Sequence, residues 1–135
     1  MTEFNPTVKA LAEAILFTEL NGSGKPLDNG FTVNDFDKDS LERLYCDYLQ
    51  FIEEVDPLIT SRIGNASWDS VDDFYDLMQP ALYQTEYDYI LTRNLHGSGF
   101  WDGNWSSHVS DILTNCARKK PMISVILADE KIYLR

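Results

Sequence analysis

The stretch YDYILTRNLHGSGFWDG, residues 87–103, decides how the second half of this chain is read. Tyr87, Tyr89 and Leu91 alternate with Asp88, Ile90 and Thr92, and the run is rich in aromatic and β-branched side chains. Both features suit a pleated, half-buried surface, so the pattern predicts a strand over 87–93. Gly97, Gly99 and Gly103 then permit a tight reversal, and Phe100–Trp101 predicts a short extended piece after it.

Upstream the periodicity is helical. Asn5-Pro6 is a helix start, because Asn caps and Pro is tolerated at the first helical position. Val8, Leu11, Ala12, Ile15 and Leu16 recur at helical spacing, predicting a helix over about 6–19. NGSGKPLDNG, residues 21–30, stops it as a surface loop, and Phe31-Thr32-Val33 has extended character. A second helix opens at Asp39 or Ser40, with Glu42 placed to reach back from its first turn. Its apolar stripe comprises Leu41, Leu44, Tyr45, Tyr48, Leu49, Phe51, Ile52 and Val55, and Asp56-Pro57 predicts its end. Ser67 predicts a third helix, with Trp68, Val71, Phe74, Tyr75 and Met78 on one side and Asp69, Asp72, Asp73 and Asp76 around the other.

Downstream, Ser106 or Ser107 caps a fourth helix carrying Val109, Ile112, Leu113 and Cys116, which ends in the basic turn Arg118-Lys119-Lys120. The runs 124–127 and 131–134 flank Ala128-Asp129-Glu130 as a C-terminal hairpin. The expected architecture is α+β: about four helices with a small antiparallel sheet formed mainly by the C-terminal part. With no linker or repeat, residues 1–135 are expected to form a single globular domain.

No apolar run approaches the ~18 residues of a membrane span, and MTEFNPTVKALAEAILF lacks the basic start and cleavage site of a signal peptide. Cytoplasmic residence is the expectation. Cys46 and Cys116 are far apart, without metal-ligand spacing, and are read as buried free thiols.

Charge is the strongest global feature. The net charge is −11, and residues 28–88 hold 15 acids against three bases, so the excess is concentrated there. Such a field repels phosphate and attracts basic protein surfaces, which argues against direct nucleic-acid binding. Its plainer use is solubility.

Could residues 91–103 be a chemical site? His96 could act as a base, Asp102 could orient it, and Arg93 with Asn94 could hold an anion. However, Thr92 and Ser98 have no base fixed beside them. His108 is the only other histidine, and no HExxH or GxxxxGK[ST] pattern occurs. Neither a cofactor nor a metal is expected. The structural alternative has Arg93, Asn94, His96 and Asp102 satisfying turn groups or one another, while Phe100 and Trp101 fasten the loop to the core.

The run Thr92-Arg93-Asn94-Leu95-His96-Gly97-Ser98-Gly99-Phe100-Trp101-Asp102 resembles a T-R-N-x-H-G-x-G-F-W-D signature in a family of small acidic proteins of tailed phages and prophages. The likeness extends to ALAEAILFTELNGSGKPLDNGFTVNDFDKDSLERL and to the helix and hairpin at the end, and is weakest over about 57–84. It implies no established chemistry and no catalytic residue. What it implies is a setting, the cytoplasm of an infected bacterium, in which acidic phage proteins occupy DNA-binding surfaces of restriction, BREX, CRISPR or repair proteins.

The leading expectation is therefore an inhibitor that binds a host nucleic-acid-handling or defence protein through a basic surface, acting as a DNA mimic. Glu53, Glu54, Asp56, Asp69, Asp72, Asp73 and Asp76 would make the contacts, with an apolar anchor still to be found. The alternative is an enzyme or small-ligand protein centred on Arg93, Asn94, His96 and Asp102. Oligomeric state stays open, a homodimer being the commonest closed form.

Overall fold

The computed structural model describes residues 5–21, 23–65, 84–94, 99–100 and 107–135. Among them are four helices, α1 (Pro6–Thr18), α2 (Lys38–Asn65), α3 (Gln84–Arg93) and α4 (Ser107–Arg118), followed by strands β1 (Val125–Ala128) and β2 (Lys131–Leu134). The strands pair antiparallel, with Val125 opposite Leu134 and Ala128 opposite Lys131. The α+β class expected from the sequence is what the chain adopts.

Helix α1 starts as its sequence dictates. The Asn5 side chain accepts a bond from the Val8 N–H at 2.8 Å, and Pro6 stands where no N–H is needed. Leu11, Ala12, Ala14 and Ile15 are fully enclosed, because α1 packs against both α2 and α3. The 21–30 segment is more than a surface loop. Leu20 bridges to Pro26, and Leu27 sits in a 3-10 turn with its side chain completely buried, which pins the segment to α1.

Helix α2 departs from expectation at both ends. Its cap is Asp37, whose carboxylate accepts from both the N–H and the hydroxyl of Ser40, so the helix begins before Asp39. Ser40 itself is buried. At the other end the helix runs through Pro57 to Asn65. Leu44, Tyr48, Phe51, Val55 and Ile59 form one buried stripe that continues across the proline. Glu53, whose carbonyl the proline leaves without its N–H partner, is exposed, so water can satisfy that oxygen. The expected third helix over about 67–78 and the Phe100–Trp101 extension rest wholly or partly on residues outside those described.

The predicted strand at 87–93 is a helix. Tyr89 and Arg93 are bonded at i,i+4 spacing, and Glu86, Asp88, Tyr89, Ile90, Thr92 and Arg93 are all buried. A helix covered on several sides loses the one-sided apolar pattern that identifies helices in sequence. What remained visible was the strand propensity of its aromatic and β-branched residues, which tertiary packing overrides. The core joins these elements through aromatic rings. Phe51 lies 4.8 Å from Tyr89 and 5.7 Å from Phe100, stacked on the latter, and Tyr48 meets Tyr89 edge-on at 5.1 Å. In Phe31-Thr32-Val33 the extended character reaches Thr32, and Val33 opens a 3-10 turn, Val33–Asp35.

Candidate functional site

A two-stranded hairpin is marginal by itself, so its edges need partners. Ser124 and Arg135 exchange both backbone bonds at 3.0 Å. By antiparallel alternation, residues 124, 126 and 128 face β2, while 121, 123, 125 and 127 face the opposite edge. At that edge stand Arg93 and Asn94, at the end of α3. Asn94 accepts from the Ile123 N–H at 2.7 Å and donates to the Ile123 carbonyl at 3.4 Å, imitating one residue of a neighbouring strand. Arg93 Nε donates to the Pro121 carbonyl at 2.7 Å.

The outer edge of β2 is held in the same manner. Asp37 N–H donates to the Ile132 carbonyl, Leu134 N–H donates to Ser40 Oγ at 3.1 Å, and Arg43 Nη2 donates to the Leu134 carbonyl at 3.2 Å. Two helix ends thus clamp the hairpin from both sides.

The remaining Arg93 contacts fix its plane. Nη2 lies 3.2 Å from Asp47 Oδ2, Nη1 donates to the Tyr89 hydroxyl at 3.0 Å, and the side chain is only 5% exposed. Thr92 Oγ1 accepts from the Phe100 N–H at 3.2 Å, tying Phe100 to α3. Of the sequence-selected loop residues, Thr92, Arg93, Asn94, Gly99 and Phe100 are therefore brought together in the interior. His96, Gly97, Trp101 and Asp102 lie outside the described residues.

Beside this clamp, the Tyr48 hydroxyl donates to Glu86 Oε1 at 3.1 Å within the core. Burial pushes the Tyr48 phenol well above its ordinary range, and the Glu86 carboxylate adds to the shift. Burial raises Tyr89 as well, with Arg93 opposing. Both phenols stay neutral, Tyr48 donating to Glu86 and Tyr89 accepting from Arg93, so they are structural hydrogen-bonding groups. Among the described residues no group of three or more His, Cys, Asp or Glu could hold a metal, and no helix is long and apolar enough to cross a membrane.

The outer face of α2 is different in kind. Asp39, Glu42, Cys46, Leu49, Glu53, Asp56 and Thr60 are all exposed. Their spacing alternates three and four residues, so they form one stripe about 30 Å long. It carries four carboxylates and no base. Glu53 and Asp56 are among the acids expected from the sequence to make the partner contacts; Asp39 and Glu42, not among them, join the same row. Glu54 is turned aside instead. Its carboxylate meets Lys119 Nζ at 2.8 Å, and this bond holds Glu54 below the usual carboxylate range and Lys119 above its own. Asp69, Asp72, Asp73 and Asp76 lie outside the described residues.

Leu49 and Cys46 correct the sequence reading, since both were expected to be buried and both face water. Cys116 is buried as expected. The upper part of the stripe borders an open cleft of about 620 Å³ between α2, Arg93, the 121–123 segment and the end of the hairpin. Comparisons with protein-family models, curated proteins and solved structures found no match to this chain.

Proposed function

We propose that this protein is an acidic interaction protein that binds a bacterial nucleic-acid-handling or defence protein and covers its basic surface, in the manner of a DNA mimic. The observation that carries this reading is the exposed stripe of α2, with Asp39, Glu42, Glu53 and Asp56 on one side of a single rigid helix and no lysine or arginine among them. Carboxylates carried on one helix present a row of negative charge whose spacing the backbone sets, and such a row steers association with lysine- and arginine-rich surfaces. Leu49, 41% exposed in the middle of the row, offers the partner an apolar contact.

The phage setting belongs to the same proposal and rests on the Thr92–Asp102 run; in it the protein acts in the cytoplasm of an infected cell. The reading of that run as a chemical site gains no support from Arg93 and Asn94, whose polar groups are buried and engaged with Asp47, Tyr89, Pro121 and Ile123.

The test is co-purification from a bacterial lysate over a salt series. The wild-type chain is compared with a variant carrying Asp39→Asn, Glu42→Gln, Glu53→Gln and Asp56→Asn. The expected outcome is a DNA- or RNA-handling protein retained by the wild type, released by salt and absent from the variant. Equal retention by a folded variant would sink the charge-based reading.

A further inference from the structure

We infer that the cleft beside the stripe is the anchor site for the same partner, and that it takes an aromatic side chain flanked by basic residues. This inference rests on the interaction reading above and adds the contact that surface charge alone does not supply, since affinity concentrates in buried anchors while rim charges mostly set the encounter rate.

The cleft's volume, about 620 Å³, is well within the range of sites that enclose small groups. Leu44, Pro121, Ile123 and Leu134 give it apolar walls. Its charged lining is balanced: Arg43, Arg93 and Arg135 against Asp39, Glu42 and Asp47. A simple ion of either sign therefore gains little from the sum. The guanidiniums of Arg43 and Arg93 are also held in place. Arg43 donates to the Leu134 carbonyl and Ser40 Oγ, and Arg93 to the Pro121 carbonyl, Tyr89 and Asp47. Arg93 is 5% exposed and its guanidinium already lies over the Tyr89 ring, so the plane offered to an incoming aromatic ring is that of exposed Arg43, and the ring also uses the apolar walls. Asp39 and Glu42 belong to the cleft and the acidic stripe at once, so a residue entering the cleft brings its chain neighbours onto carboxylates. Along the stripe, away from Arg43 and Arg135, complementarity favours lysine or arginine as those neighbours.

Cys46 gives a means of closing the cleft without touching the core. Its thiol is exposed and belongs to the lining, whereas Cys116 is buried, and burial pushes that thiol's pKa up. N-ethylmaleimide should therefore modify Cys46 selectively. Two eight-residue lysine peptides, one with a central tryptophan and one with a central serine, carry the same charge and serve as probes by fluorescence anisotropy at fixed ionic strength.

The tryptophan peptide is expected to bind about tenfold more tightly, and alkylation of Cys46 to remove that advantage while leaving the serine peptide unaffected. In Cys46→Ser the advantage should survive maleimide treatment. Equal, salt-sensitive binding of both peptides would overturn the anchor site and leave the acidic stripe standing. An advantage that persists in the alkylated wild type would also overturn it. Binding of neither peptide would remove the stripe reading together with the anchor.

Discussion

Asn94 shows how much of the fold can rest on one side chain. Its carboxamide is the neighbour that Ile123 would have in a third strand, and it is 4% exposed, so nothing replaces it when it is lost. Asn94→Ala should leave the Ile123 N–H without a partner and destabilise the protein by about 1–3 kcal/mol in urea unfolding, with little change in helix content. Asn94→Asp keeps the acceptor but buries a carboxylate and turns one of its oxygens toward the Ile123 carbonyl, so it should destabilise the protein at neutral pH at least as much as Asn94→Ala. Tyr48 and Tyr89 give a pH prediction with a definite sign. Their folded-state pKa values are raised, so the folded chain holds these protons where the unfolded chain releases them. The stability this represents is fully present below the ordinary phenol value near 10 and is lost as pH rises above it. Alkaline titration should show the phenolate absorbance of these two residues arising together with loss of helical circular dichroism. Their ionisation near pH 10 in a still-folded chain would contradict the assigned burial.

Helix α2 offers the clearest prediction for an element. Proline in a helix interior is disfavoured by about 3 kcal/mol relative to alanine, part of which is returned by its restriction of the unfolded chain. Pro57 is exposed, so Pro57→Ala should stabilise the protein by about 1–2 kcal/mol and raise its melting temperature; a fall would mean that the proline serves a packing role. The same helix shows what sequence can convey. Its buried stripe Leu44–Tyr48–Phe51–Val55 follows helical periodicity and was legible, as were α1 with its Asn5 cap, α4 and the hairpin. Its C-terminal limit was not, because a local rule about proline was outweighed by Ile59 continuing the stripe. In α3 the failure has another source. Glu86 and Asp88 face the interior, so polarity no longer marks the solvent side, and the alternation of Tyr87, Tyr89 and Leu91 is a coincidence of composition. Arg93 and Asn94 could be singled out as special residues from the sequence, but their partners Pro121 and Ile123 lie more than 25 positions away and have no polar side chain to suggest the pairing.

For the molecule as a whole, the hairpin clamps and the acidic stripe divide the work. One set of polar residues is turned inward and holds β1 and β2 against the helices. The other is turned outward along α2, within the 28–88 stretch that holds the excess of negative charge. The sequence conveyed the charge excess but not which carboxylates share a face: Glu54 was selected beside Glu53 and Asp56, yet it pairs with Lys119, while Asp39 and Glu42 take its place in the row. The stripe and the 91–103 loop are rival centres of function, and one comparison separates them. Protein retention from a bacterial lysate is measured for the wild type, for the Asp39→Asn/Glu42→Gln/Glu53→Gln/Asp56→Asn variant and for His96→Ala, each verified as folded by circular dichroism. With the stripe as the binding surface, the stripe variant loses the retained protein and His96→Ala keeps it. Loss in folded His96→Ala with retention in the stripe variant would contradict it.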